Sequence, residues 1–158
     1  MRIFQFLLTL MIFGVLSTCG NSAADQAAKE REAENVKAQE QKWDQVMSIH
    51  DEVMPLIPDI NKAVKVLKEN ITEDIAEEKK EQIMSTIGKL ESADEGMFSW
   101  MANIRQIEPL RDSMNHQEIM QYLEKEMVAV TKVKVNILLG LEEGQALITN
   151  LVQKAKED

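Results

Sequence analysis

From Val36 onward the sequence repeats a pattern every seven residues. Val36, Trp43, His50, Ile57, Val64 and Ile71 form one row, apolar except at His50. Val46, Val53, Ile60 and Leu67 sit three residues after its members from Trp43 on. An a/d seam held for about five heptads describes a long helix packed against partners. A second seam runs Ile83, Ile87, Leu90, Asp94, Met97, Met101, Ile104. A third reads Met120, Leu123, Met127, Val130, Ile137, Leu141, Ile148, Leu151. With only 6 Gly and 3 Pro in 158 residues, and Ala, Glu, Lys, Gln, Leu and Met abundant, no strand pattern competes. Short connections favour antiparallel neighbours. The seams predict an all-α fold over residues 36–158: an elongated antiparallel up-down-up three-helix bundle of coiled-coil type.

Punctuation refines this. Pro55 and Pro58 lie inside the first seam but off its apolar row, so the first helix is expected to bend at Pro55/Pro58 and continue. A break over Met54–Pro58 is the alternative. Thr72 offers an N-cap for the second helix, and Pro109 is expected to end it. Asn115 with Glu118 forms a capping box for the third. From His116 to Lys156 that helix would be about 60 Å long, weakened or bent at Gly140 and Gly144.

The chain opens MRIFQFLLTLMIFGVLSTCGNS, with the only cysteine at Cys19. Arg2 precedes the run Ile3–Ser17, in which only Gln5, Thr9 and Ser17 are polar. A spanning helix needs about 20 apolar residues, so this run is short for one, and its form is that of a secretory signal over residues 1–18. Leu16-Ser17-Thr18-Cys19 resembles the lipobox of bacterial lipoproteins, with Thr18 where Gly, Ala or Ser is usual. The resemblance implies cleavage before Cys19 and lipidation of its thiol, giving a membrane anchor. The plainer alternative is an ordinary signal with an incidental cysteine. With Cys19 acylated, no thiol remains for a disulfide or a Cys-based metal site. Residues 19–35 have almost no large apolar side chain after the cysteine and are read as a lipidated N-terminus and flexible tether.

Charge narrows the partners. Of 18 Lys and Arg and 27 Asp and Glu, only Arg2 falls in residues 1–18, so the remainder has 17 basic and 27 acidic groups, a balance of −10. That acidity excludes the basic footprint of a nucleic-acid binder and argues against docking on anionic lipid by charge.

His50, Asp94 and Lys134 interrupt the buried rows. Folding the helices back near residues 74 and 110 places Asp94 and Tyr122 close to the level of His50. His50, Asp94 and Tyr122 are therefore a candidate buried polar cluster, read most simply as a register-fixing contact and more sharply as a proton-transfer or ligand site. Met47, His50 and Met54 share a helix face, where thioethers and an imidazole suit copper or haem iron; the simpler reading of the same methionines is core filler. Phe98, Trp100 and Met101 are a candidate interaction patch. No phosphate loop, zincin signature or nucleophile elbow occurs, and the Glu-x-x-His spacing of di-iron bundles is missing.

The segments WDQVMSIHDEVMP (Trp43–Pro55), ADEGMFSWM (Ala93–Met101) and HQEIMQYLEKE (His116–Glu126) resemble the small helical lipoproteins of Bacteroidota often labelled "viral A-type inclusion protein". This resemblance implies an all-helical fold and an envelope location, with no activity to carry over. It marks His50, Asp51, Glu52, Asp94 and Trp100 for attention. The resulting expectation is a non-enzymatic lipoprotein without a cofactor, held by Cys19 in the cell envelope. It would face the periplasm from the outer membrane and act as a scaffold or accessory to an envelope protein, with no nucleic acid and no identified small-molecule substrate. The alternative is a periplasmic copper- or haem-binding bundle using His50 and the nearby methionines.

Overall fold

The structure, a computed structural model, describes residues 19–157, with side chains described for 22–153. The signal-peptide reading of residues 1–18 lies outside the described residues. Two compact units divide the chain after Ala38.

In the first unit, residues 19–38 belong to helix α1 (Cys19–Val53). Residues 22–34 are exposed throughout; among them Gln26 Nε2 donates to Glu30 Oε1 at 2.9 Å and Arg31 Nε to the Ala27 carbonyl at 3.2 Å. The segment read as a tether is thus helical in conformation and exposed over 22–34. Ala, Glu, Lys, Gln and Arg are strong helix formers, and four-residue spacing lets them support one another without a core.

The second unit is the bundle. After α1 come a 3-10 turn at Met54–Leu56, then α2 (Ile57–Glu69), α3 (Glu77–Asn103), α4 (Ile107–Arg111) and α5 (His116–Glu157). The described residues contain no strand, and α2, α3 and α5 pack against one another. The interruption at Pro55 and Pro58 is one turn of 3-10 helix. Each proline falls in the first two positions of a new element, Pro55 of the 3-10 turn and Pro58 of α2, where no helical N–H is needed. Val53, Leu56 and Ile57 all keep right-handed helical angles, so the seam passes through unbroken. Val53, Ile57 and Ile60 are all buried.

Side-chain pairs between helices show the directions. Trp100 meets Glu126 and Lys89 meets Glu143, so α3 and α5 are antiparallel. Lys42 pairs with Glu124 and Glu52 with Lys134, each pair the same distance apart in sequence, so residues 42–52 of α1 run parallel to α5. The same offset, to within one residue, brings Ala63 beside Gly144 on the far side of the prolines.

The core includes Val46, Val53, Ile60 and Leu67 from the first strut, Ile83, Leu90 and Met97 from α3, and Val130 and Ile137 from α5. A smaller cluster of Leu110, Ile119 and Leu123, flanked by Trp43, Met114 and Tyr122, closes the α4 end. Gly140 and Gly144 are contact points rather than weak spots. A Cβ on Gly144 would stand 3.2 Å from Leu90 Cδ1, and one on Gly140 3.5 Å from Leu90 Cδ2. Their lack of a side chain lets Leu90 seat against α5.

Two boundaries differ from expectation. Thr72 does not cap α3, which begins after Ala76 without a side-chain cap. Pro109 does not end α3, which stops at Asn103; it lies in the first turn of α4, a position that tolerates proline. The capping box is present, with Asn115 N–H donating to Glu118 Oε2 at 2.8 Å and Glu118 N–H to Asn115 Oδ1 at 3.1 Å.

Candidate functional site

His50 lies in the last turn of α1, its side chain 13% exposed. Its Nδ1 is 2.8 Å from Asp51 Oδ1. When Nδ1–H donates to that carboxylate, the neutral ring keeps a lone pair on Nε2. Nε2 is buried and has no hydrogen-bond partner, and the same holds for Asp94 Oδ1 on α3. The two residues expected to pair thus do not bond to each other. What covers His50 is the Trp100 ring, at a centroid distance of 5.7 Å and a tilt of 35°.

Trp100 leads onward to α5. Its Nε1–H donates to Glu126 Oε2 at 2.9 Å. Glu126 stands one turn after Tyr122 on α5, and the Tyr122 hydroxyl accepts the Arg105 backbone N–H at 2.7 Å. Burial raises the Tyr122 pKa above 10.0, and the neighbouring Glu126 charge pushes the same way against the Arg105 contacts. Tyr122 therefore does not join His50 and Asp94 in one cluster. It lies at the other end of a line running His50, Trp100, Glu126, Tyr122. Asp94 stands outside that line.

The proposed patch also divides. Trp100 is buried at 8% exposure, whereas Phe98 and Met101 are 49% and 39% exposed. Of the candidate patch, Trp100 is a core residue with a polar handle. Met47 and Met54 pack on the main core beside His50. Among the described residues, no group of three His, Cys, Asp or Glu side chains is placed to hold a metal.

A second polar centre was not apparent from the sequence. Gln39 is 3% exposed, and both ends of its amide have a partner. Its Oε1 accepts from Arg111 Nε at 2.9 Å, and its Nε2 lies 3.2 Å from His116 Nδ1. Arg111 reaches on to Glu40 at 3.4 Å. One side chain of α1 thus joins α4 to the start of α5. The signal was present: Gln39 is three residues after Val36, where each later heptad carries Val, Val, Ile or Leu.

At the opposite end, where α2 turns into α3, a cleft of about 780 Å³ is lined by Asn70, Thr72, Asp74, Lys79, Gln82 and Asn150. Its lining mixes both charges with amides and presents no convergent acid–base pair. Cys19 is the first residue of α1. Among the described residues, no helix is long and apolar enough to cross a membrane.

Comparison with protein-family models, with curated proteins and with solved structures gives no match in any of the three.

Proposed function

We propose that this chain is a lipid-anchored lipoprotein of the cell envelope, with a non-enzymatic helical bundle that works through protein contacts. The observation that carries the reading is the junction LSTCG, Leu16 to Gly20, at the end of a short apolar run and directly before a solvated segment. A single apolar run too short to span, followed by one acylatable thiol, suits an anchor made by lipid rather than by a helix. The exposed character of residues 22–34 supports it, since a segment beside a bilayer headgroup region has no apolar face to bury. The resemblance of Trp43–Pro55, Ala93–Met101 and His116–Glu126 to envelope lipoproteins of Bacteroidota points the same way. The test is Cys19→Ser: the variant should lose metabolic acyl label and leave the membrane fraction. Unchanged membrane retention refutes the anchor.

A second reading rests on the buried lone pair of His50 Nε2. A soft metal or a haem iron bound there, with Met47 or Met54 as a thioether ligand, would make the bundle a periplasmic carrier. Metal analysis and an absorption spectrum of protein from its native envelope decide it. Stoichiometric metal that disappears in His50→Ala, with helicity intact, would favour this reading over the scaffold.

A further inference from the structure

The outward face of α5 carries large apolar side chains that the bundle does not cover. Val128 is 64% exposed, Val135 46%, Leu138 43% and Leu139 53%. Val128, Val135 and Leu139 are aligned, with Leu138 to one side of them. Val128, Lys132, Val135, Leu139, Glu142 and Ala146 follow one another at spacings of four and three, which is a second a/d seam on the side of α5 opposite buried Val130 and Ile137. A contiguous exposed apolar stripe of this kind marks an interaction surface.

The charges within the stripe select the occupant. Lys132, in its first half, and Glu142, in its second, are both exposed and make no ion pair among the described residues. A parallel pairing of two such stripes would set Lys132 against Lys132 and Glu142 against Glu142. An antiparallel pairing centred beside Ile137 sets Lys132 against Glu142 of the second copy, twice. The same register puts Val135 against Leu139 and Val128 against the small Ala146, with Leu138 at the flank of the stripe. A two-fold interface requires such self-complementarity. We propose that α5 is the docking surface for a second copy of this chain, joined antiparallel along Val128–Ala146. The proposal deepens the scaffold reading by naming a partner, and it stands apart from the anchor, which acyl labelling tests separately.

The experiment uses the full chain in mild detergent, with mass read by sedimentation and helicity by circular dichroism. The wild type should dimerise reversibly. Lys132→Glu and Glu142→Lys should each weaken the dimer by about tenfold or more through like-charge contact, with unchanged helicity because both positions are exposed. The double variant K132E/E142K should restore wild-type affinity, a result that association through the apolar N-terminal run would not produce. In a Cys19→Ser background, Val135→Cys should cross-link between chains only with Leu139→Cys, and Val128→Cys only with Ala146→Cys. A monomer at all concentrations, a dimer indifferent to the charge variants, or preferential Val128→Cys self-linkage would each overturn the proposal.

Discussion

Tyr122 is the only tyrosine, so its ionisation can be followed without ambiguity. Its folded-state pKa lies above 10.0, chiefly because it is buried. A group whose folded pKa exceeds its unfolded value contributes stability that is present below the unfolded value and lost as pH rises through the folded one. Stability should therefore hold up to about pH 10 and fall beyond it, and Tyr122→Phe should flatten that alkaline loss. Denaturant melts across that range check this; an unchanged slope in the variant would assign the loss elsewhere. Gln39 gives a second residue-scale test. Gln39→Leu keeps the volume but leaves Arg111 and His116 without their amide partner, and should cost about 1–3 kcal/mol in chemical denaturation. Both residues show what a heptad reading sees. It identifies a polar residue on a buried row, as it did for His50 and Asp94, because the row itself is periodic. It places a residue's level along the helix but not the direction its side chain takes, so the failure of His50 and Asp94 to pair was not visible. Trp100 and Glu126 were hidden for a related reason. An indole looks apolar in a pattern and a glutamate looks solvated, although a buried Trp N–H needs an acceptor.

The helices themselves were legible because their seams are long, while their ends were legible only where a local side-chain bond sets them. Asn115 and Glu118 declare the start of α5 in four residues, and Asn115→Ala should cost about 1 kcal/mol by removing the acceptor for the Glu118 N–H. The start of α3 has no such device, which is why Thr72 misled. Pro109 was misread in a different way. A proline is costly inside a helix but not in a first turn, and the local sequence does not say that the chain will restart a helix there. Glycines divide similarly. A Cβ on Gly88 of α3 meets nothing within 4 Å, so Gly88→Ala should gain up to about 1 kcal/mol from helix propensity. At Gly144 the added carbon lies 3.2 Å from Leu90, a fully buried side chain, and the same gain is offset by repacking. Gly144→Ala should thus come out about 1 kcal/mol less favourable than Gly88→Ala in denaturant midpoint, a contrast that equal shifts at the two sites would abolish.

Across the molecule, helix formation and packing contribute separately, and the chain separates them along its length. In residues 22–34 the helix has good propensity but every described side chain is exposed. Short isolated helices are marginal in water, because nucleation is costly and propagation alone barely exceeds it. In the second unit, Ile60, Leu67, Ile83, Leu90, Leu123 and Ile137 are 0% exposed, and their apolar burial at about 25 cal/mol per Å² dominates the balance. The inter-helix ion pairs add little to that. Lys68–Glu91 and Lys89–Glu143 are about half exposed at both ends, where such pairs are worth about 0–1 kcal/mol, so their role is to define register. Hydrogen exchange should therefore show two regimes under native conditions. Amides of residues 22–34 should open with a free energy near zero, while those of α2, the centre of α3 and residues 119–147 should approach the global unfolding value. Added salt should leave the second group nearly unchanged, since apolar burial is not screened. Slow, uniform exchange through residues 22–34 would mean that something covers them, and the assignment of that segment to propensity alone would have to be given up.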